Sequence, residues 1–236
     1  MFKGNRKLFI GVLVVIAVLF AFNVHSIQTC SNTSRVILKG ETQPQDTTLK
    51  IEDITAKVPY GHRVANRTAD DVDIIVIHSN YHEPSFKNGV NSADTFSTKG
   101  CIAQFKYYDV APHYMVCRDA SILRMVKEKD VAWQAGKSSL PGTNRTMLNP
   151  TSIGIEVVST KTNGPTKAQY AALLALVKDI CSRYSIHYVV RHADIAPTRR
   201  DDPWGFDWNW FADQIQKYYP NIEIPRGKVN DLKELR

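Results

Sequence analysis

Residues 72–78 read VDIIVIH, and this stretch decides the fold. Apart from Asp73, its first six residues are apolar and β-branched, which favours a β-strand. A run of this length without polar alternation is typical of a strand buried on both faces, as in a sheet covered by helices. The run ends at His78, so a side chain that binds metals and carries protons directly follows a buried strand.

The sequence on either side of this run predicts one α/β domain. The clearest element is a helix over 166–184, where apolar residues recur at i, i+3, i+4 and i+7 after a start signal at Pro165 and Thr166. Strands and helices alternate along the chain, which predicts a single domain with a central mixed β-sheet flanked by helices. The other expected elements are helices at 93–105 and 208–218 and strands at 113–117, 122–126, 152–158 and 187–190.

The N-terminus has the pattern of a segment that directs export. Basic residues at positions 3, 6 and 7 precede an unbroken apolar run over 8–22. This order predicts a signal peptide or an N-terminal membrane anchor over 1–26. The run is marginal for crossing the ~30 Å hydrocarbon core of a membrane, and the positive-inside rule places the rest of the chain on the far side. Lipid attachment at Cys30 and a buried core helix remain alternatives.

Composition divides the rest of the chain into three parts. Residues 27–57 are polar without a sustained period and predict a tether. A globular domain is expected over 58–224, followed by a polar tail over 225–236. The formal charge of +7 favours anionic surfaces in general. We expect no nucleic-acid partner, because the chain has neither a dense basic run with interleaved aromatics nor a nucleic-acid-binding motif.

The four cysteines do not predict a disulfide scaffold. Cys30, Cys101, Cys117 and Cys181 form no C-x-x-C pair, so a structural zinc knuckle is not indicated. In an oxidising compartment one bridge among the last three is an option, and buried free thiols are an equal one.

Three residues have the chemistry of a metal site. His78 and His192 each follow a predicted strand, and parallel sheets place ligands beyond the carboxyl ends of their strands. Asp202 lies ten residues after His192, across a stretch broken by Pro197, so a loop is needed to return the carboxylate to the imidazole. Two histidines and a carboxylate with one open position form a catalytic zinc set. Residue types alone leave open the alternative that each histidine is structural.

The segment around His192 carries a family resemblance. Residues 191–208 read RHADIAPTRRDDPWGFDW. They resemble the H-x-D-I-A-P-x-R-x-x-D-P signature of the zinc amidases, a family that includes bacterial N-acetylmuramoyl-L-alanine amidases, phage amidases and animal peptidoglycan recognition proteins. Four further blocks that resemble the family follow its order, and the resemblance covers roughly residues 70–210: VIH (76–78), PHYMVCRDASI (112–122), VAWQAG (131–136) and SIGIE (152–156).

The resemblance implies a metal ion and a base. By position in these motifs, His78, His192 and Asp202 are expected to bind Zn²⁺, and Glu156 is expected to be the catalytic general base. In SIGIEVV the apolar residues fill one face of the strand, so Glu156 points to the other. A buried carboxylate is costly unless it is paired or protonated. A structural salt bridge of Glu156 is the alternative.

Three more site residues are expected from the same motifs. Arg200 stands where family enzymes often carry Lys and is expected to stabilise the oxyanion, with a solvated surface arginine as the alternative. His113 and Trp133 are expected to line the substrate groove. The alternative for Trp133 is an equally common position in the hydrophobic core. The chain also departs from the family at Pro112, where phage enzymes place a catalytic Tyr, and at Gln134, which replaces the His of A-W-H-A-G. We expect the change at Gln134 to alter substrate contacts.

The resemblance implies hydrolysis of the amide bond between N-acetylmuramic acid and L-alanine in peptidoglycan or muropeptides. The N-terminal segment places this activity in the periplasm or cell envelope, with membrane contact only through that segment. The main alternative is a non-catalytic peptidoglycan-binding module, in which family members commonly lose a zinc ligand. A third is a cytoplasmic amidase acting on anhydro-muropeptides, against which the apolar run over 8–22 argues.

Overall fold

The computed structural model describes residues 49–85 and 89–227. The predicted signal or anchor, nearly all of the predicted tether, Cys30 and the end of the polar tail lie outside the described residues. Within the described part, no helix combines the length and the hydropathy needed to cross a membrane.

A mixed sheet forms the centre of the domain, as predicted, and it has six strands. The strands of the domain are β1 (Ile51–Asp53), β2 (His62–Arg63), β3 (Ile74–Asn80), β4 (Tyr114–Val116), β5 (Ile122–Arg124), β6 (Val131–Ala132), β7 (Ser152–Val158) and β8 (Tyr188–Arg191). The strands of the central sheet run in the spatial order β1, β5, β4, β7, β3, β8, and all neighbours are parallel except β4 and β5. The other two, β2 and β6, form a separate antiparallel pair.

Helices cover both faces of this sheet. They are α1 (Thr98–Tyr108), α2 (Lys167–Arg183), α3 (His192–Ile195) and α4 (Trp208–Gln216). Side chains of α2 and α4 pack with Ile75, Ile77 and Ile155 in the largest apolar cluster. Fully burying a side chain of this size contributes roughly 1.5–3 kcal/mol, so this cluster stabilises the sheet on one face. On the other face α1 packs beside Met115, which leaves the end of β3 open for a site.

The folded domain begins earlier than predicted. Ile51–Asp53, inside the predicted tether, forms β1 and pairs in parallel with Ile122–Arg124 at the sheet edge. Ile54, which follows it, is buried. The expected boundary at 58 is therefore wrong, because a three-residue edge strand is too short to show a period in the sequence.

The predicted polar tail also starts inside the fold. The Trp208 indole N–H donates to the carbonyl of Pro225 at 2.6 Å, and Arg191 donates to the carbonyl of Gly227 at 3.0 Å. Residues 225–227 therefore pack onto the domain, and residues 228–236 lie outside the described part.

The first helix starts five residues later than the pattern predicted. Ser97 caps it by accepting from the Gly100 N–H at 3.2 Å, which satisfies one of the free donors of the first turn. Gly100 is needed because a Cβ there would lie 2.2 Å from the His82 ring. Cys101 and Cys117 are buried free thiols, and Cys181 is a half-buried one, so the option of a bridge among them is not realised.

Candidate metal centre and active site

The register of three parallel strands places three polar side chains in one row. His78 on β3 is level with Glu156 on β7. Ile77 is level with Arg191 on β8, so His192, the next residue, falls beside His78. Because side chains alternate along a strand, His78 and Glu156 point away from the face that α2 and α4 cover. The carboxyl ends of the strands therefore build one side of a site.

The three predicted zinc ligands meet at this place. The Nδ1 atoms of His78 and His192 are 3.0 Å apart, and Asp202 oxygens lie 3.5 Å from the first and 3.3 Å from the second. All three residues are at most 5% exposed. A tetrahedral zinc ion with N and O ligands at 2.0–2.1 Å separates them by about 3.3 Å. Within the described residues, no other group of His, Cys, Asp and Glu has this convergence.

The hydrogen bonds of the two imidazoles fit a metal ion. His78 Nε2–H donates to Gln134 Oε1 at 2.5 Å, and His192 Nε2–H donates to the carbonyl of Ala135 at 3.2 Å. Both partners are oxygens that only accept, so each neutral ring carries its lone pair on Nδ1. Two lone pairs and a carboxylate then face one another within 3.5 Å, and only a cation or a proton between them makes this arrangement favourable.

Proton affinities in the cluster follow from the same contacts. Burial raises the pKa of Asp202, but its hydrogen bonds with His192 and His78 outweigh this and hold the pKa below the ordinary value. Burial and the neighbouring His78 lower the pKa of His192 to about 4. For His78, the hydrogen bond with Asp202 and the charge of Glu156 outweigh burial, and its pKa is raised. The cluster thus combines an ionised carboxylate and one imidazole of raised pKa with a second imidazole of lowered pKa.

Contacts from the loop after β8 fix the ligands. Arg191 and Asp194 form a buried ion pair of 2.8 Å that holds the start of α3, where His192 lies. The Ala193 N–H donates to the Asp202 carbonyl at 3.0 Å, which returns the loop to the strand end. Arg199 donates to the carbonyl of Ala135, the same oxygen that accepts from His192. The loop between His192 and Asp202 thus brings the carboxylate back to the imidazole, as the sequence required.

Glu156 is half-buried beside the metal cluster, and one of its carboxylate oxygens is buried without a partner. Its Oε2 has no hydrogen-bond partner within the described part of the chain. Burial raises the pKa of Glu156 to about 7, despite an opposing effect of His78. The predicted alternative of a structural salt bridge is wrong, because no cation pairs with this carboxylate among the described residues. A perturbed carboxyl in a cleft is a mark of a functional site.

A cavity of about 180 Å³ opens over these groups. Glu156 and the three ligands line it together with Trp133 and Arg200. Trp133 is 39% exposed, so its indole is not a core side chain. Arg200 is also exposed, and its guanidinium makes no hydrogen bond or ion pair with the described residues. Both side chains are free to contact a substrate.

His113 does not line the cavity, which corrects the expectation of a substrate contact. Its side chain is fully buried. Nδ1 accepts from the Gly154 N–H at 3.0 Å, and Nε2 donates to the Asp130 carbonyl at 3.2 Å. An Arg67 nitrogen lies 2.7 Å from the same Nε2. Burial and this guanidinium lower the pKa of His113 to about 3, so the ring joins β4 to β7 in its neutral form.

We expect His113 to make the domain sensitive to mild acid. The unfolded chain takes up a proton on this ring below pH 6.5 and the fold does so only near pH 3, so stability rises with pH between these values. The slope is at most about 1.4 kcal/mol per pH unit. Urea unfolding of zinc-free protein between pH 4.5 and 6.5 is expected to show a smaller slope for His113→Asn, which keeps an acceptor for Gly154. Equal slopes would contradict this assignment.

Gln134 and Gly154 have roles that the sequence did not indicate. A Cβ at Gly154 would lie 2.5 Å from Gln134 Cγ, so the space beside Gly154 holds the side chain of Gln134. Gln134 contacts His78 and was expected to affect substrate contacts only. The one signal in the sequence was the departure from A-W-H-A-G at this position.

The sequence of this chain is similar to those of known proteins. The family model described as N-acetylmuramoyl-L-alanine amidase matches residues 65–205, more than half of the chain. The chain is 37% identical over 173 residues to N-acetylmuramoyl-L-alanine amidase AmiD of Escherichia coli (strain K12), across 68% of this chain and 59% of AmiD. It is 32% identical over 166 residues to 1,6-anhydro-N-acetylmuramyl-L-alanine amidase AmpD of Citrobacter freundii, across 66% of this chain and 87% of AmpD.

A solved structure shows the same fold. The structure of AmiD from E. coli with the substrate anhydro-N-acetylmuramic acid-L-Ala-D-gamma-Glu-L-Lys has a TM-score of 0.51 and 33% sequence identity, covering 64% of this chain and 60% of that one. The mixed sheet flanked by helices is thus the fold of these amidases. The chain spans less than two thirds of the length of AmiD.

Proposed function

The chain belongs to the N-acetylmuramoyl-L-alanine amidase family, and on that premise we propose that it is a zinc-dependent amidase. The bond it hydrolyses is the amide between N-acetylmuramic acid and L-alanine in peptidoglycan or muropeptides. One observation carries the proposal: three lone-pair atoms converge within 3.5 Å beside the half-buried carboxyl of Glu156, whose pKa is raised to about 7. Such a pair of features is typical of metal-assisted hydrolysis.

Zn²⁺ would be held by His78, His192 and Asp202. When bound there, it supplies a Lewis acid that polarises the scissile carbonyl and makes water more acidic. The three ligands leave their open side toward the cavity that Glu156 and Arg200 line. Gln134 and Ala135 accept hydrogen bonds from the Nε2–H groups of the two imidazoles, which leaves the Nδ1 lone pairs available to this ion.

Glu156 is the proton carrier of the reaction. Its unpaired Oε2 accepts a proton from the attacking water and then delivers it to the departing amine of L-alanine. A general base and acid works best when its pKa lies near the working pH, and burial brings that of Glu156 to about 7. Among the described residues no hydrogen-bond partner of Oε2 competes for this proton.

Arg200 and Trp133 act on the substrate. The Arg200 guanidinium faces the cavity and stabilises the negative charge that develops on the carbonyl oxygen. The exposed indole of Trp133 offers an apolar wall to the sugar or the stem peptide. Both side chains belong to the reaction only when a substrate fills the cavity, which explains why the fold leaves them exposed.

The proposed place of action is the cell envelope. The relatives AmiD and AmpD are named as amidases of N-acetylmuramyl compounds. The basic and apolar segment over 1–26 would export the domain to the periplasm or anchor it to the inner membrane. We propose no nucleic-acid partner.

A test on the full chain separates the enzyme from the binding module. Purified muropeptide is incubated with protein in zinc and in chelator, and stem peptides with a free L-alanine amine are measured. We expect release with zinc and none with chelator. Zinc-loaded protein that binds peptidoglycan without releasing any stem peptide would overturn the enzyme and leave a recognition module.

A further inference from the structure

Gln134 reaches a zinc ligand from outside the cluster. It follows β6, and its side chain extends across β7 to the ring of His78, where Oε1 lies 2.5 Å from Nε2. The Gln134 backbone N–H and that of Ala135 both donate to Asn149 Oδ1, at 3.3 and 2.8 Å. The turn that carries this side chain is therefore tied down.

The hydrogen bonds around Gln134 fix which end of its amide faces His78. Ser152 donates its hydroxyl proton to the Leu148 carbonyl at 2.8 Å, so the Ser152 oxygen accepts. The Gln134 Nε2–H donates to that oxygen at 2.8 Å. Oε1 must then point to His78. Because an amide oxygen only accepts, His78 must donate from Nε2. The chain Leu148–Ser152–Gln134–His78 thus places the imidazole lone pair on Nδ1.

The absence of a side chain at Gly154 on β7 leaves space for the side chain of Gln134. Gly154 lies between Ser152 and Glu156 on the face of the site, and an added Cβ would approach Gln134 Cγ to 2.5 Å and Cδ to 2.6 Å. No side chain larger than glycine fits at 154 without moving Gln134. The gap and the glutamine are two parts of one arrangement.

We propose that Gln134 is a positioning residue for the metal ligand His78, fixing the tautomer and the ring orientation that the ion requires. This inference rests on the proposed zinc site. A partner on the outer nitrogen of a ligating histidine sets its tautomer, and losing such a partner typically weakens metal binding by 10–100-fold. Gln134 therefore acts through His78 and not on the substrate, which differs from the role that its position in the motif suggested.

The first test compares zinc affinities of full-length variants by competition with a chromophoric chelator. Gln134→Met keeps the size of the side chain and removes the acceptor, and we expect the zinc Kd to rise by about 10–100-fold. Gln134→Glu keeps an acceptor oxygen and is expected to restore an affinity close to that of the wild type. Gln104→Met is the matched control, because Gln104 lines the same cavity but bonds the backbone of Glu83.

A second variant disrupts the contact between Gln134 and His78 without changing Gln134. Gly154→Ala puts a methyl group where Gln134 lies and is expected to displace its amide from His78. We expect a weakening of zinc binding similar to that of Gln134→Met. Circular dichroism and thermal unfolding of the zinc-free proteins verify that each variant is folded.

Each outcome of these measurements has one meaning. If folded Gln134→Met and Gly154→Ala bind zinc as tightly as the wild type, or if Gln104→Met loses as much affinity, the positioning role is overturned. If the wild type binds no zinc, the proposed metal site fails and the inference with it. If zinc affinities change as expected while no variant or wild type cleaves muropeptide, the proposed function fails and the positioning role stands.

Discussion

Glu156→Gln is expected to lower kcat by about 10²–10⁴-fold without loss of zinc. The substitution keeps the shape of the side chain, and because Oε2 is buried without a partner among the described residues, no hydrogen bond to this oxygen is lost. An amide cannot take the proton of the attacking water, and the departing amine then leaves unprotonated. Steady-state kinetics on a soluble muropeptide, together with zinc content per chain, measure this effect.

The control for Glu156→Gln is the same exchange at a distant carboxylate. Glu52 is exposed on the edge strand β1, and Glu52→Gln is expected to leave kcat unchanged. The stability of Glu156→Gln should equal or exceed that of the wild type, because a half-buried carboxyl is replaced by a neutral group. A Glu156→Gln enzyme with more than about a tenth of wild-type kcat would show that another group carries the proton.

The positions of Glu156, His78 and His192 were predictable because each depends on one strand. Period-two alternation in SIGIEVV already places Glu156 opposite the apolar face. The family motif adds Asp202, whose return across ten residues depends on a loop that local pattern does not describe. The structure shows that this loop is held by the Ala193 N–H, a backbone contact that leaves no mark on residue type.

Features that depend on packing between distant segments were not predictable. The role of Gln134 requires a gap at Gly154, twenty residues later, and a hydroxyl at Ser152. His113 stands in a motif next to the site, yet its ring turns to Arg67 and Asp130, which the sequence places far away on either side. The edge strand Ile51–Asp53 exists only because Ile122–Arg124 offers it a partner. In each case the local sequence is compatible with more than one structure, and contacts between distant segments determine which one forms.

Asp202→Asn is expected to abolish zinc-dependent activity at stoichiometric zinc. The substitution keeps the shape of the side chain but removes the only negative charge among the three ligands, and the two imidazoles alone hold the ion weakly. We expect zinc affinity to fall by more than the roughly 10–100-fold typical of losing an outer partner of a ligand. Chelator treatment should inactivate the wild type in the same way, and added Zn²⁺ should restore it.

Asp201→Asn is the matched control for this variant. Asp201 is the neighbouring residue, but its carboxylate is exposed and pairs with Lys161 at 2.6 Å. Exposed pairs of this kind contribute about 0–1 kcal/mol, so Asp201→Asn should keep both its zinc and its activity. The contrast between two adjacent aspartates separates loss of a ligand from disturbance of the loop.

Thermal unfolding measures the contribution of Asp202 to zinc binding without an activity assay. Zinc at 1,000 times its Kd stabilises the fold by about 4 kcal/mol, which corresponds to a rise in Tm of roughly 8–16 °C for a domain of this size. We expect this rise for the wild type and Asp201→Asn, and a much smaller one for Asp202→Asn at the same zinc concentration. An equal rise for Asp202→Asn would mean that its carboxylate does not bind the ion, because a ligand that contributes nothing to zinc affinity contributes nothing to this shift.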